Sequence, residues 1–282
     1  MRGIAQKTIA LIVNAHELLE AEHPMTLRQL FYRLVSIRGL QNSRADYQKL
    51  SRVMTQAREA GDINHEWLVD RSKPEIVPSV WRDPAGYLEA VARSYRRDYW
   101  QDQPYYAELW LEKDSLTGSV EGLVGELGIT LRAHRGYSST TKKLEIARLF
   151  DSKKKPIRIF YIGDHDPSGL DIERDLLDKI SKYQRTDNYA TIERLGILRE
   201  DIALFNLPPL QIKDSDSRAP KFRLQHGAEV VEADALPPVE LRARIREKVE
   251  ALIDFTSWNH KLIAERAEFA SIKKFAATFR GV

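Results

Sequence analysis

Two short stretches of this sequence end an apolar run with acidic residues. Glu112 follows the run at 106–111, while Asp164 and Asp166 lie in the cluster Gly-Asp-His-Asp-Pro-Ser-Gly at 163–169, directly after the run at 157–162. Each run has the length and composition of a buried strand. Because the carboxyl ends of parallel strands meet at one edge of a sheet, where ligands bind, we expect the three carboxylates to lie together there.

Three carboxylates at one place favour a hard divalent cation. Magnesium prefers oxygen ligands, takes few of them from protein and completes its shell with water and phosphate oxygens. The sequence therefore predicts one or two Mg²⁺ ions held by Glu112, Asp164 and Asp166, and Mn²⁺ suits the same ligands. The alternative is a simple turn, because Asp-x-Asp-Pro-Ser-Gly is good turn chemistry. His165 should point away from the two aspartates and support the site without binding metal.

Several short motifs resemble, in content and in order, those of a known family. They are Arg-Gln-Leu-Phe-Tyr at 28–32, Glu-Lys at 112–113, Gly-Tyr-Ser at 136–138, the cluster at 163–169 and Glu-Ala-Asp-Ala-Leu-Pro-Pro at 232–238. The motifs at 112–113 and 163–169 resemble the Toprim domain. All five together resemble the topoisomerase VI A subunit and its relative, the meiotic double-strand-break protein. The resemblance covers about residues 24–250.

The resemblance implies a nucleophile, a substrate and an assembly. Tyr32 matches the tyrosine that attacks DNA, leaving a covalent phosphotyrosine and a free 3′ hydroxyl. Arg28 lies one helical turn before it and could clamp the scissile phosphate or lower the pKa of the phenol. The family acts on double-stranded DNA as a homodimer, with the tyrosine of one protomer working against the metal site of the other. A buried structural role is the alternative for Tyr32.

The chain departs from the family pattern at two motif positions. Phe31 replaces the first tyrosine of the Tyr-Tyr pair, and Ser138 stands where the family has proline. No P-loop motif is present, so strand passage would need a separate ATPase subunit. Glu232 and Asp234 match a family motif and are expected to add an outer carboxylate to the metal site.

The alternation of predicted elements favours an α/β protein. We expect an N-terminal helical winged helix-turn-helix domain at 1–80, a linker helix at 81–103 and a Toprim domain, with a Rossmann-like parallel sheet and a helical C-terminal extension, at 104–282. The first domain would contain an amphipathic helix at 4–21 with Ile4, Ile9, Ile12, Leu18 and Leu19 inward. A helix capped by Thr26 should end at Gly39, another should run from Ser43 to Ala60, and a hairpin wing should lie at 62–69.

Basic residues are concentrated in the predicted first domain. Residues 24–60 contain seven basic residues and two acids, Asp46 and Glu59. We expect DNA phosphates to be contacted mainly from this segment, although an ordinary solvated helix face is the alternative. The predicted DNA-binding residues are Arg33, Arg44, Lys49, Arg52 and Arg58, with Lys113 beside the metal, where it could pair with an acid or with a phosphate.

Composition excludes several classes of protein. The 282 residues carry a net charge of only +3 and contain no cysteine. Disulfides, zinc fingers and thiol catalysis are therefore excluded. No apolar stretch approaches the roughly 20 residues that span a bilayer, and no signal peptide is recognisable. We expect a cytoplasmic protein without a membrane segment.

Three functions fit these observations. The first is magnesium-dependent cleavage of double-stranded DNA by tyrosine transesterification through Tyr32. The second keeps the metal site but hydrolyses DNA with metal-activated water, as a nuclease of a defence or mobile-element system. The third is a DNA-binding regulator without catalysis, which clustered carboxylates near DNA disfavour.

Overall fold

Three helices with well-formed caps begin the chain. The computed structural model describes residues 6–69, 78–134, 139–187, 190–212 and 216–278. The helices are α1 (Gln6–Glu22), α2 (Leu27–Ser36) and α3 (Arg44–Ala60). Thr26 and Gln29 cap α2 reciprocally, Ser43 caps α3, and Gly61 ends α3 in the left-handed conformation at φ 82°. These caps confirm the predicted helix starts, but α2 ends three residues before Gly39.

The buried stripe of α1 differs from the predicted one. Leu11, Ala15 and Leu19 are buried, and their spacing of four residues defines one face of the helix. Ile9, which was predicted to point inward, is 50% exposed because it lies away from this stripe. Ile12 and Leu18 pack at the margin of the core, and Ile4 lies outside the described residues.

The segment after α3 does not form the predicted hairpin. Residues 62–69 contain a 3-10 turn, His65–Trp67, and a single parallel bridge between Leu68 and Met25. The Trp67 ring stacks on His23 and meets the edge of His16, which holds the segment against α1. Aromatic packing against a helix thus replaces pairing between two strands. The next helix, α4 (Pro84–Ser94), is capped by Asp83.

A four-stranded parallel sheet follows. Its strands are β1 (Tyr106–Leu111), β2 (Thr130–Ala133), β3 (Ile157–Ile162) and β4 (Ala190–Arg194), in the order β2-β1-β3-β4. The connecting helices are α5 (Thr117–Leu127), α6 (Thr140–Ser152) and α7 (Pro167–Tyr183). Leu111 lies opposite Ile162 in the parallel register, so β1 and β3 end together. The α/β class and the parallel sheet, which is compatible with a Rossmann-like domain, are confirmed.

Both faces of the sheet are covered, because alternate residues of β1 and β3 enter two different cores. Leu109 and Leu111 face the core that α5 shares with the three N-terminal helices. Trp110 and Tyr161 face the other core, which α6 and α7 complete. The predicted division into domains at residues 80 and 103 stays a prediction.

The last third of the chain contains elements that the sequence pattern did not indicate. They are α8 (Arg199–Leu204), the antiparallel pair of β5 (Leu210–Gln211) and β6 (Glu229–Val230), and α9 (Ala219–His226). The predicted C-terminal helices are present as α10 (Pro238–Glu250) and α11 (Phe255–Ala277), and α11 packs against α4. None of the helices in the described part of the chain is long and apolar enough to cross a membrane.

A buried carboxylate joins β1 to β2. Glu108 is fully buried and accepts hydrogen bonds from the Arg132 guanidinium at 2.6 and 2.8 Å, from Trp110 Nε1 at 2.6 Å and from the Tyr106 hydroxyl at 2.7 Å. Four donors compensate for the loss of water around the charge. The network fixes the face on which β1 presents Glu108 and Trp110. Glu112, just after the end of the strand, continues this alternation.

Arg132→Ala should lower the free energy of unfolding by about 3–5 kcal/mol, because it leaves the Glu108 charge buried and unpaired. Urea unfolding followed by circular dichroism measures the change. Arg174→Ala, which removes exposed ion pairs with Asp171 and Asp178, is the matched control and should leave stability nearly unchanged. A loss no larger than that of the control would contradict a structural role for this pair.

Candidate active site

The ends of β1 and β3 are joined by Glu112. Its backbone N–H donates to Ile162 O at 2.9 Å, and its Oε2 accepts from the backbone N–H of Asp164 at 2.9 Å. Asp166 caps α7, with its Oδ1 accepting from Gly169 N at 2.6 Å. The three predicted carboxylates therefore leave the sheet at the same edge. The cap at Asp166 also fits the turn chemistry that was the alternative to metal binding.

Two glycines of the motif are required by close packing. A Cβ atom at Gly163 would overlap Tyr161 Cε1 and would lie 2.8 Å from Glu112 Oε2. One at Gly169 would overlap the backbone oxygen of Asp164 and would lie 3.0 Å from Glu112 Oε2. The two glycines therefore allow the turn to pack closely against Tyr161, Glu112 and its own backbone.

Lys113 lies among carboxylates. Its Nζ is 2.7 Å from Asp164 Oδ2, 3.1 Å from Glu232 Oε2 and 3.6 Å from Asp234 Oδ2. Burial by itself would lower the pKa of Lys113, but Asp164, Asp234 and Glu232 together raise it. The ammonium group therefore stays charged. The sequence left open whether Lys113 pairs with an acid or with a phosphate, and in this structure it pairs with acids.

Arg28 joins Tyr32 to this cluster. Its Nη2 donates to the Tyr32 hydroxyl at 3.1 Å, and its Nε and Nη2 bind Glu232 at 2.8 and 2.6 Å. Tyr32 is only 3% exposed. Burial, followed by the charge of Glu232, raises the pKa of its phenol and outweighs the opposing effect of Arg28. Arg28 does lower this pKa, as the sequence suggested, but burial and Glu232 outweigh its effect.

Glu232 is the residue whose importance the sequence underestimated. It accepts from Arg28 and lies 3.1 Å from Lys113 Nζ, so it links Tyr32 to Asp164 within one chain. The signal was present in the Glu-Ala-Asp motif, which was assigned only an outer carboxylate. Because the separation along the chain between residues 28 and 232 is so large, no local pattern could indicate their contact.

The donor chemistry suits a divalent cation, but the side chains are not arranged around one. Within the described ranges, no group of three or more His, Asp or Glu side chains is placed to hold a metal ion. The pKa of Glu112 is raised to about 7 by burial and by the charge of Asp164, outweighing the hydrogen bond from Asp164 N. Burial likewise raises the pKa of Asp164 and, separately, that of Asp234. Neighbouring carboxylates with raised pKa values repel one another when ionised, and a bound cation would reduce that repulsion.

His165 points away from the acids. Its ring meets the edge of Phe222 at 5.3 Å and approaches His226 at 5.9 Å, while its backbone pairs with Val231. Burial, followed by the charge of Arg194, lowers the pKa of His165 to about 4. The residue joins the sheet edge to α9 and β6.

A cleft opens beside the acids. It has a volume of about 360 Å³, and its lining includes the acids Asp164, Asp166, Asp216 and Glu232 together with apolar residues in and next to the β5–β6 pair. Leu210, Ile212, Val230 and Val231 form the apolar wall. The cleft is therefore of mixed polarity, as small-molecule sites commonly are.

The predicted DNA-binding residues have different surroundings. Arg44 and Arg52 are exposed on α3, and Lys49 is half-buried. Arg58 donates to His65 O at 3.2 Å, and Arg33 is paired with Glu22 at 2.7 Å. Lys113 lies in the acidic cluster, as described above. Their contact with DNA stays a prediction, and the motif at 136–138 lies outside the described residues.

The site combines a phenol, two cationic side chains and several carboxylates at one sheet edge. Such a set has the oxygen donors that divalent cations prefer, cationic groups that can neutralise a phosphate, and a phenol or a carboxylate that can act as nucleophile or base. Comparison with protein-family models and with curated proteins finds no match to this chain.

The raised pKa of Glu112 has a consequence for stability. Between the ordinary carboxyl value near 4.5 and about 7, the folded chain holds a proton that the unfolded chain has released. The free energy of unfolding should therefore fall as the pH rises through this window, by at most about 1.4 kcal/mol per pH unit from this group.

Glu112→Gln should flatten the pH dependence of stability between pH 5 and about 7 and should stabilise the protein above that range. Denaturant unfolding at several pH values, without divalent cations, measures the slope. Glu145→Gln, at an exposed position on α6, is the control and should keep the slope of the wild type. An unchanged slope in Glu112→Gln would show that this carboxyl titrates as an ordinary surface group.

Proposed function

We propose that this chain is a magnesium-dependent DNA-cleaving protein of the topoisomerase VI A type that acts by tyrosine transesterification through Tyr32. The observation that carries the proposal is the continuous network from the Tyr32 hydroxyl through Arg28 and Glu232 to Lys113 and Asp164. A phenol held by a guanidinium next to clustered carboxylates has the parts needed to attack a phosphodiester. The resemblance of the motifs at 28–32, 112–113 and 163–169 supports the same activity.

Each residue has a distinct task in this proposal. The Tyr32 oxygen attacks phosphorus, so that a tyrosine–phosphate bond forms while the bond to the 3′ oxygen breaks. Arg28 neutralises charge on the phosphate and orients the phenol. Mg²⁺ held by Glu112, Asp164 and Asp166 would stabilise the leaving oxygen. Since Tyr32 is almost fully buried, DNA binding must open its surroundings.

Hydrolysis by metal-activated water is the second candidate, and one observation favours it. The burial and raised pKa of Tyr32 make it a poor nucleophile in the arrangement described. In a hydrolytic nuclease Tyr32 would be a structural residue that positions Arg28.

The proposal includes partners. Double-stranded DNA is the substrate, and a homodimer would cut both strands. Strand passage would further require a separate ATPase subunit, because the sequence has no P-loop motif. In the chain described, Tyr32 is linked to Glu232 of the same chain, so a dimer is not needed to bring these two residues together.

Tyr32→Phe should abolish covalent attachment of protein to the 5′ ends of DNA, because the attacking oxygen is lost. The measurement uses supercoiled plasmid with MgCl2, a denaturing quench, and detection of protein-linked ends. Tyr47→Phe is the matched control, since the Arg28 guanidinium lies 5.3 Å from the Tyr32 ring and 5.9 Å from the Tyr47 ring. Asp164→Asn should abolish cleavage by either mechanism.

Free 5′-phosphate ends that persist in Tyr32→Phe and disappear in Asp164→Asn would show that the protein cleaves DNA by hydrolysis and not by transesterification. Plasmid that is bound but left intact by the wild type, with MgCl2 or with MnCl2, would reject both cleavage mechanisms and leave the regulator.

Replacing Lys49 and Arg52 together with alanine should weaken binding to all DNA sequences alike. If both contact phosphates, the slope of log affinity against log salt should fall in magnitude by roughly 1.8, or about 0.9 per contact. Fluorescence anisotropy with a labelled duplex between low and moderate salt gives the slope. The double variant Arg246→Ala, Lys248→Ala on α10 carries the same charge change and should keep the wild-type slope. Equal slopes in all three proteins would exclude α3 as the docking surface.

A further inference from the structure

The acidic cluster around Lys113 shares only Asp164 with the three carboxylates that the motifs predict as metal ligands. Asp164, Glu232 and Asp234 approach the Lys113 ammonium at 2.7, 3.1 and 3.6 Å. In the part of the chain that the structure describes, Glu112 and Asp166 use one oxygen each to accept from backbone N–H groups and form no ion pair with Lys113, whereas Asp164 accepts from Ala233 N with Oδ1 and faces Lys113 with Oδ2. The carboxylate oxygens of Asp164, Glu232 and Asp234 therefore converge on Lys113 Nζ.

Asp234 is the unusual member of this cluster. It is 1% exposed, and its Oδ2 has no hydrogen-bond partner among the described residues. The 3.6 Å separation from Lys113 is too long for a hydrogen bond, and its Oδ1 has only a long contact of 3.4 Å with Ser115. A buried carboxylate oxygen without a partner is costly, and it points toward the centre of the cluster.

One ammonium is a poor match for three carboxylates. Lys113 carries a single positive charge, and it reaches Asp164 and Glu232 but not Asp234 within hydrogen-bond distance. The other cation at the cluster, Arg28, is committed to Glu232. A divalent cation at this position would carry twice the positive charge of the ammonium and could bind one oxygen of each acid.

We propose that Asp164, Glu232 and Asp234 form a divalent-cation site, and that the Lys113 ammonium occupies this site until a metal ion displaces it. The inference rests on the metal dependence of the proposed function and deepens it. Lys113 leaves the carboxylates when the metal enters, and its chain of four methylenes then carries the charge toward the cleft. There it can meet a phosphate oxygen, so Lys113 pairs with acids and with phosphate in succession.

Titration calorimetry with MgCl2 or MnCl2 and no DNA tests this exchange. Lys113→Met should bind the metal on the order of tenfold more tightly than the wild type, because no ammonium competes for the carboxylates. Adding Asp234→Asn to Lys113→Met should remove the gain. Lys143→Met, which removes a buried lysine paired with Asp175 on α7, is the matched control and should bind as the wild type does.

A second measurement uses the unaltered protein, in case Lys113→Met folds poorly. Acetylation of lysines by an N-hydroxysuccinimide ester, followed by peptide mass spectrometry, reports how accessible each amine is. MgCl2 should raise the labelling rate of Lys113 severalfold and leave that of Lys143 unchanged. A Lys113 rate that is unchanged or lower with saturating metal would overturn the exchange.

The outcomes separate this inference from the proposed function. If the wild type binds metal and Lys113→Met binds it no more tightly, the exchange is rejected while a metal site remains. If neither protein binds Mg²⁺ or Mn²⁺, the metal-dependent cleavage and the exchange fail together. Tighter binding in Lys113→Met that Asp234→Asn reverses would establish both the site and the competition.

Discussion

The parallel register of β1 and β3 is the constraint on which the site depends. Leu111 pairs with Ile162, so that Glu112 and Asp164 lie close enough for one to bind the backbone of the other. A slip of one residue would exchange the two faces of β1 and bring Glu108 toward the apolar core beneath α5. The buried pair of Glu108 and Arg132 therefore protects the geometry of an edge that lies four residues away.

The site concentrates charge where burial makes charge expensive. Lys113 and Arg28 compensate for several carboxylates, yet Asp234 retains an oxygen without a hydrogen bond in the described part of the chain. Buried ion pairs contribute little net stability compared with apolar residues of the same size. The proposed function gives such an accumulation a purpose other than folding, because carboxylates with a perturbed pKa are commonly found at functional sites.

The N-terminal helices are held firmly to the sheet domain. Arg242 on α10 donates to the carbonyl oxygens of Glu22 and Pro24, and Arg28 on α2 binds Glu232. Both segments share one hydrophobic core. As a result, a ligand that draws Glu232 away from Arg28 also changes the surroundings of Tyr32. Under the proposed function, this one carboxylate would couple metal binding, phosphate binding and exposure of the phenol.

The sequence alone determined the local structure: the caps at Thr26 and Ser43, the parallel strands, and the shared edge of the acids. These depend on hydrophobic periodicity and on side chains that bond to nearby backbone, and both can be recognised in a short stretch of sequence. It did not indicate the β5–β6 pair, the turn that replaces the hairpin at 62–69, or the contact of Arg28 with Glu232. Those depend on packing between distant segments, and only the tertiary structure decided that Tyr32 is buried and that Lys113 lies among the acids. The physical reason is that burial and charge pairing depend on neighbours in space, and no short stretch of sequence shows which distant residues those neighbours are.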